Sequence, residues 1–127
     1  MPAWKDYKKA AVERGSLAME LYMVLSTPAQ SPEALQAQLP AHLAYQADQE
    51  NNGSLVMAGP LSDDSGELMQ GTGLIIYRAE SLEAAKKIAE TDPMHSSGAR
   101  TFEIKRWLVN EGSFQIDLKL SAQSVQL

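Results

Sequence analysis

The chain has no cysteine, which removes disulfides, thiolate zinc sites, thiol nucleophiles and cysteine-based redox chemistry from consideration. That usage fits a cytoplasmic protein. Basic residues are in deficit: 11 Lys and Arg stand against 16 Asp and Glu, a formal charge of −5. A nucleic-acid partner needs a basic face to displace counterions, so nucleic acid is not expected as a partner. Long apolar runs are also missing. None approaches the ~18 residues of a membrane span, so no membrane partner is expected. The one leader-like stretch, Leu17–Leu25 after Lys5, Lys8 and Lys9, is set off from those lysines by Glu13 and Arg14 and interrupted by Glu20. Internal repeats and low-complexity tracts are absent. Histidine is scarce, with His42 and His95 the only two.

The 127 residues suit a single domain, since domains run to roughly 100–200 residues. Residues 2–15 read as a short helix ended by Gly15. Leu17, Met19, Leu21, Met23 and Leu25 then alternate with Ala18, Glu20, Tyr22 and Val24, which predicts a strand. Its odd face is wholly apolar; its even face, with Glu20 and Tyr22, looks toward something partly polar. Ser31–Pro32–Glu33 supplies an N-cap, a proline at the first helical position and an acid in the first turn. Pro40 is expected to break that helix and open a second segment to Asn51. Leu43 and Ala47 would continue the core stripe of Leu35 and Leu39, with His42, Tyr45 and Gln49 on a flanking face.

Leu55–Ala58 reads as a short strand ended by Gly59–Pro60, and a turn at 62–66 leads to a strand through Leu74–Tyr77. Ser81 caps a helix striped by Leu82, Ala85, Ile88 and Ala89, closed by Asp92–Pro93. Phe102–Val109 is a further strand. Phe114, Ile116, Leu118 and Leu120 alternate with polar residues and predict a last, half-buried strand that pairs onto a sheet edge. The order implies an α+β, ferredoxin-like βαββαβ fold. Residues 1–16 add an N-terminal helical extension to a 17–109 core, and 110–127 add an extra C-terminal strand. One sheet face, read as the one carrying Glu20, Tyr22 and Val24, is left uncovered by helices, and a second copy stacked on it would make a homodimer.

This topology brings the start of the Pro40–Asn51 segment, the end of the second helix and the entry to the fourth strand to one edge. His42, Asp92, Gly59, Pro60, His95 and Arg100 gather there. At the same positions the residues resemble a known family. His42–Leu43–Ala44–Tyr45, Leu55–Val56–Met57–Ala58–Gly59–Pro60–Leu61, Ala89–Glu90–Thr91–Asp92–Pro93 and Phe102–Glu103–Ile104–Lys105–Arg106–Trp107 look like YCII-related (YciI-like) proteins. The resemblance spans roughly residues 17–109 and says nothing of the two ends. It implies a dimeric α/β barrel with a site centred on a histidine and an aspartate, at His42 and Asp92 by motif position. His95 is less characteristic of the family than His42.

The chemistry stands without the family. An imidazole exchanges protons near neutrality, and a carboxylate on its other nitrogen fixes the tautomer and stabilises the imidazolium. His42 and Asp92 are thus the catalytic candidates, with Tyr22, Tyr45, Gly59, Pro60, His95 and Arg100 as substrate-binding candidates. No metal or cofactor is implied. Gly71–Thr72–Gly73 lacks the lysine and helix of a phosphate loop, and Asp63–Asp64 with Glu67 lacks the ligand ladder of a calcium loop. Two functions remain. One is a small cofactor-free enzyme, of isomerase, lyase or hydrolase type, acting on a small organic molecule such as an aromatic or a lactone. The other is a non-catalytic ligand-binding or structural homodimer. The first requires His42 on a concave, partly apolar cleft with a ring nitrogen accessible.

Overall fold

A computed structural model describes residues 1–127. In chain order the elements are α1 (Trp4–Glu13), β1 (Met19–Pro28), α2 (Pro32–Asn52), β2 (Leu55–Ser62), β3 (Met69–Tyr77), α3 (Leu82–Thr91), α4 (Pro93–Ser96), β4 (Arg100–Val109), β5 (Asp117–Lys119) and β6 (Ser124–Gln126). They fall into two compact units, Glu20–Trp107 and the joined ends Met1–Met19 with Leu108–Leu127. No helix is long and apolar enough to cross a membrane.

The 20–107 unit has a four-stranded sheet in the order β2-β3-β1-β4, with β3 antiparallel to both β1 and β2. With its two long helices this is the ferredoxin-like βαββαβ order, a mixed α+β fold. Register pairs Tyr22 with Tyr77 and Val24 with Ile75. These four side chains cluster with Ala85 and Ala89 of α3. The helix-covered face of β1 is therefore the even one. The expectation that Tyr22 and Val24 lie on the uncovered face is corrected. Both faces of β1 carry enough apolar residues that alternation tells which side chains share a face, not which face meets a helix. Shape decides: the methyl side chains of Ala85 and Ala89 let α3 approach, and the two tyrosine rings fill the space beside them.

The second correction is α2, which runs unbroken through Pro40. Proline removes the N–H that would reach the Gln36 carbonyl, but Pro40 and Gln36 are both exposed, so water can satisfy that oxygen. Ser31 caps the helix by accepting from Ala34 N–H, and Gly53 ends it at φ 86°. His42 is consequently in mid-helix rather than near a helix start. No α2 residue is fully buried, and Leu43, assigned to the core stripe, is 57% exposed.

The third correction is β2, which continues through Gly59 and Pro60 to Ser62. It is an edge strand, where a missing N–H is tolerated, and its register with β3 shifts at Leu55/Met57 and Pro60/Ser62. At the far end of α3, Ser81 caps as expected, accepting from Ala84 N–H. Asp92 ends α3 and caps α4, accepting from Met94 N–H.

In the other unit, α1 is closed by the Arg14 and Gly15 amides on the Ala10 and Val12 carbonyls, and Leu17 N–H donates to Asn110 O at 3.0 Å. The expected last strand does not join a sheet edge. Only Asp117–Lys119 is extended enough to pair, and it pairs antiparallel with β6 in a separate two-stranded sheet. Phe114, Ile116, Leu118 and Leu120 are 58–83% exposed. Their alternation records a two-faced segment, and a three-residue ladder does not press either face against a core.

Candidate functional site

α2 and α3 are tied by polar side chains at the level of the α3–α4 junction. Tyr45 O–H donates to Ile88 O at 2.7 Å. One turn away, His42 Nδ1 lies 2.8 Å from both carboxylate oxygens of Asp92. Asp92 is fully buried, while the His42 side chain keeps 20% of its surface. A carboxylate only accepts, so the shared proton sits on Nδ1 and Nε2 is left with its lone pair. Met94 N–H donates to the same carboxylate at 2.9 Å, which fixes its plane. The Pro93 ring after Asp92 and the helical turn of α4 hold this amide in place.

His42 lines a cleft of about 800 Å³ between α2 and the β2–β3 strands. Leu39 and Leu43 form its helical wall, with Val56, Met57, Leu74 and Ile75 from the strands. Gly59, Pro60 and Arg100 also line it. Polar atoms are few: besides His42 and Arg100 they come from Ser26, Gln46, Glu50 and Thr72, with the Gln46 Oε1 buried and without a protein partner.

The remaining sequence-predicted residues are placed elsewhere. Tyr22 is 2% exposed within the core and is absent from the cleft wall, because the even face of β1 meets α3. Tyr45 spends its hydroxyl on Ile88 O and does not line the cleft. Burial, then the Asp92 charge, pushes its phenol above the usual range, against a bond to Thr91. His95 lies behind the wall, tilted against Phe102 with ring centroids 4.7 Å apart. Its Nδ1–H donates to Ala89 O at 2.7 Å, and its Nε2 meets Ser26 Oγ at 2.7 Å. Arg100 Nε donates to Ser26 Oγ at 2.9 Å, and its Nη2 donates to Ser26 O at 2.7 Å and to Gly71 O. No three His, Asp or Glu side chains converge as a metal-holding group. Asp63 instead closes its own turn, accepting from Ser65 N–H and Ser65 O–H.

A family model for the YCII-related domain matches residues 20–108. The chain belongs to the YCII-related family. Its match to the uncharacterized protein YjpA of Bacillus subtilis (strain 168) is 40% identical over 53 residues, which are 42% of this chain and 55% of YjpA. The chain thus spans only about half the length of that curated relative. A solved structure of 5-chloro-2-hydroxyhydroquinone dehydrochlorinase (TftG) from Burkholderia phenoliruptrix AC1100, in complex with 2,5-dihydroxybenzoquinone, is also similar. It aligns over 68% of this chain and 92% of its own, with a TM-score of 0.50 and 22% identity, a likeness of fold.

Three groups of this YCII-related domain escaped the sequence reading. Ser26 stands in Ser26–Thr27–Pro28, which reads only as a strand end, yet it is 4% exposed and joins His95 to Arg100. Gln46 falls on no motif. Tyr77 reads as a strand residue, but its buried hydroxyl has no partner, and burial, followed by the Asp92 and Tyr45 charges, pushes its phenol far up. What each polar atom meets across the fold, or fails to meet, distinguishes these residues, and no local pattern carries that.

His95 gives the domain a pH response. Burial is the largest cause holding its imidazole below the ordinary 6.5; the Ala89 carbonyl and Asp92 oppose this, and the His42 and Arg100 charges add to it. The folded state therefore binds this proton at lower pH than the unfolded chain does. The resulting stability is full above the unfolded pKa and is lost as pH falls through the folded one. The melting temperature should fall on acidification below about pH 6.5, and His95→Gln should flatten that fall. Parallel melting curves across pH for the two proteins would show that His95 is not the group responsible.

Proposed function

We propose that the chain is a small enzyme performing acid/base chemistry on an organic molecule bound in the α2–β2–β3 cleft, with His42 as the proton-transfer group and Asp92 as its orienting partner. The observation that carries this reading is the His42–Asp92 pair: Nδ1 is committed to a buried carboxylate, and Nε2 has no protein partner on a residue that lines an apolar cleft. Two ring nitrogens both consumed by protein groups would have favoured a structural role instead. In the proposed reaction Nε2 takes a proton from the substrate, and Asp92 stabilises the imidazolium. The electron pair left behind either shifts and is reprotonated at another atom by the same imidazolium, an isomerisation, or expels a leaving group, an elimination. The fold likeness to a dehydrochlorinase places elimination from a hydroxylated ring among the first reactions to test.

The test is a panel of small hydroxylated aromatics, 5-chloro-2-hydroxyhydroquinone and simple lactones. Turnover is followed by chloride release and by solvent-deuterium incorporation at carbon. Turnover or exchange of a panel member supports the reading. A panel member that occupies the cleft by NMR yet shows neither would count against it.

The same reading includes a homodimeric α/β barrel. Its support is the number of large apolar side chains left exposed, including Met57, Leu68 and Met69 of the sheet unit and Phe114, Ile116 and Leu120 of the other. Sedimentation equilibrium at micromolar concentration should return twice the 13.9 kDa of one chain. A mass of one chain would remove the dimer.

A further inference from the structure

Arg100 is the one permanently cationic side chain in the cleft wall, and the protein holds it without an ion pair to an acid. Its acceptors are all neutral: Ser26 Oγ and Ser26 O, at 2.9 and 2.7 Å, and Gly71 O. A guanidinium has five N–H donors. Three are engaged by these contacts, through Nε and Nη2, and the two on Nη1 are left for something else.

The fork is also aimed. A carbonyl only accepts, so His95 Nδ1 carries the proton given to Ala89 O, and His95 Nε2 must accept from the Ser26 hydroxyl. The Ser26 oxygen then faces Arg100 with its lone pairs and accepts from Nε. One directed chain runs from Arg100 through Ser26 and His95 to the backbone of α3. Each link has a single hydrogen-bond sense while His95 is neutral, which is the state its burial favours. The acid that acts on the half-buried guanidinium is Asp92, through charge and without a hydrogen bond, and Asp92 is itself committed to His42 and the Met94 amide. The two N–H groups left on Nη1 offer an oxyanion a charge-assisted contact from one nitrogen. The acid in the cleft wall, Glu50, is exposed near the end of α2 and makes no ion pair with it.

We infer that the substrate is a planar organic anion, a ring-bearing carboxylate or phenolate, whose charged group seats on Arg100 Nη1 while its ring lies against Leu39, Leu43, Leu74 and Ile75. Ser26 and His95 are the positioning residues that hold the fork. This rests on the reading of the cleft as the substrate site, and it supplies what His42 alone does not: an anchor that sets which substrate atom meets Nε2. The guanidinium also stabilises negative charge that develops on the ring as the proton leaves.

The probes are benzoate, its neutral analogue benzamide, and inorganic phosphate, titrated into the full chain and followed by NMR. The readouts are the Arg100 Nε–H resonance and the Leu74 and Ile75 methyls. Benzoate should move both sets of signals and bind about tenfold more tightly than benzamide, the worth of one charge-assisted contact. Phosphate should bind more weakly than benzoate. Ser26→Ala should abolish most of the benzoate preference, and Arg100→Lys should reduce it, since a single ammonium nitrogen cannot be held by Ser26 and Gly71 and still present a second nitrogen to the ligand. His42→Gln should keep the preference, so a failure of the acid/base reading leaves this one standing. Equal affinity for benzoate and benzamide in the unmodified protein overturns the inference without recourse to any variant. So does no binding of benzoate at millimolar concentration, or phosphate binding as tight as benzoate.

Discussion

His42→Gln should lower turnover of any substrate processed in the cleft by about 10²–10⁴-fold, the usual contribution of a positioned general acid/base. Glutamine is chosen because its amide can still donate to Asp92 across the same gap, so the α2–α3 tie survives and the change falls on proton transfer. The loss should appear in kcat, with KM nearly unchanged, because the apolar wall and Arg100 remain to bind the ligand. Steady-state kinetics on the first active panel member decides it. Equal loss through KM alone would make His42 a binding group, and no loss would remove it from the chemistry.

Asp92 should separate stability from catalysis more sharply than any other residue. Asp92→Ala strips the acceptor from two donors at once, His42 Nδ1–H and Met94 N–H. At about 1–3 kcal/mol for each donor left dry, the upper bound is about 6 kcal/mol; because the His42 end is part exposed and can turn to water, the expected loss is about 2–4 kcal/mol, on the order of 10 °C in Tm for a chain of this size. Asp92→Asn behaves differently. Its carbonyl oxygen can still cap α4, so the fold should lose about 1 kcal/mol or less. Its amide now donates toward His42, however, which forces Nδ1 to accept and moves the ring proton to Nε2. The base is then blocked although the protein is folded, and activity should fall as far as in His42→Gln. Thermal melts with parallel kinetics test both halves. An active, folded Asp92→Asn would show that the carboxylate does not set the tautomer.

The parts of this protein that were legible in sequence are those decided within a few residues. Ser31 and Ser81 are N-caps whose hydroxyls each bond the amide three residues on, and Asp92–Pro93 ends one helix and starts the next. The βαββαβ order followed from such punctuation. His42 and Asp92 could be brought together because topology and motif converged on them. What could not be read was decided across space. The fate of Pro40 depended on the exposure of the Gln36 carbonyl. The face of β1 depended on the small alanines of α3, and the roles of Ser26, Gln46 and Tyr77 depended on partners, or a lack of partners, far along the chain. The segment from Phe114 to Leu120 had the clearest alternation and yet is exposed. Alternation predicts two faces; it does not supply a surface for one of them to cover.

The proposed chemistry needs Asp92 to hold His42 with the proton on Nδ1 and the lone pair on Nε2. Long-range ¹H–¹⁵N correlation of the ring nitrogens, at a pH where the ring is neutral, reads this directly. The expected result is a protonated-nitrogen shift at Nδ1 and an unprotonated one at Nε2 for His42 in the unmodified protein, with the two exchanged in Asp92→Asn. A His42 whose Nε2 carries the proton in the unmodified protein would contradict it.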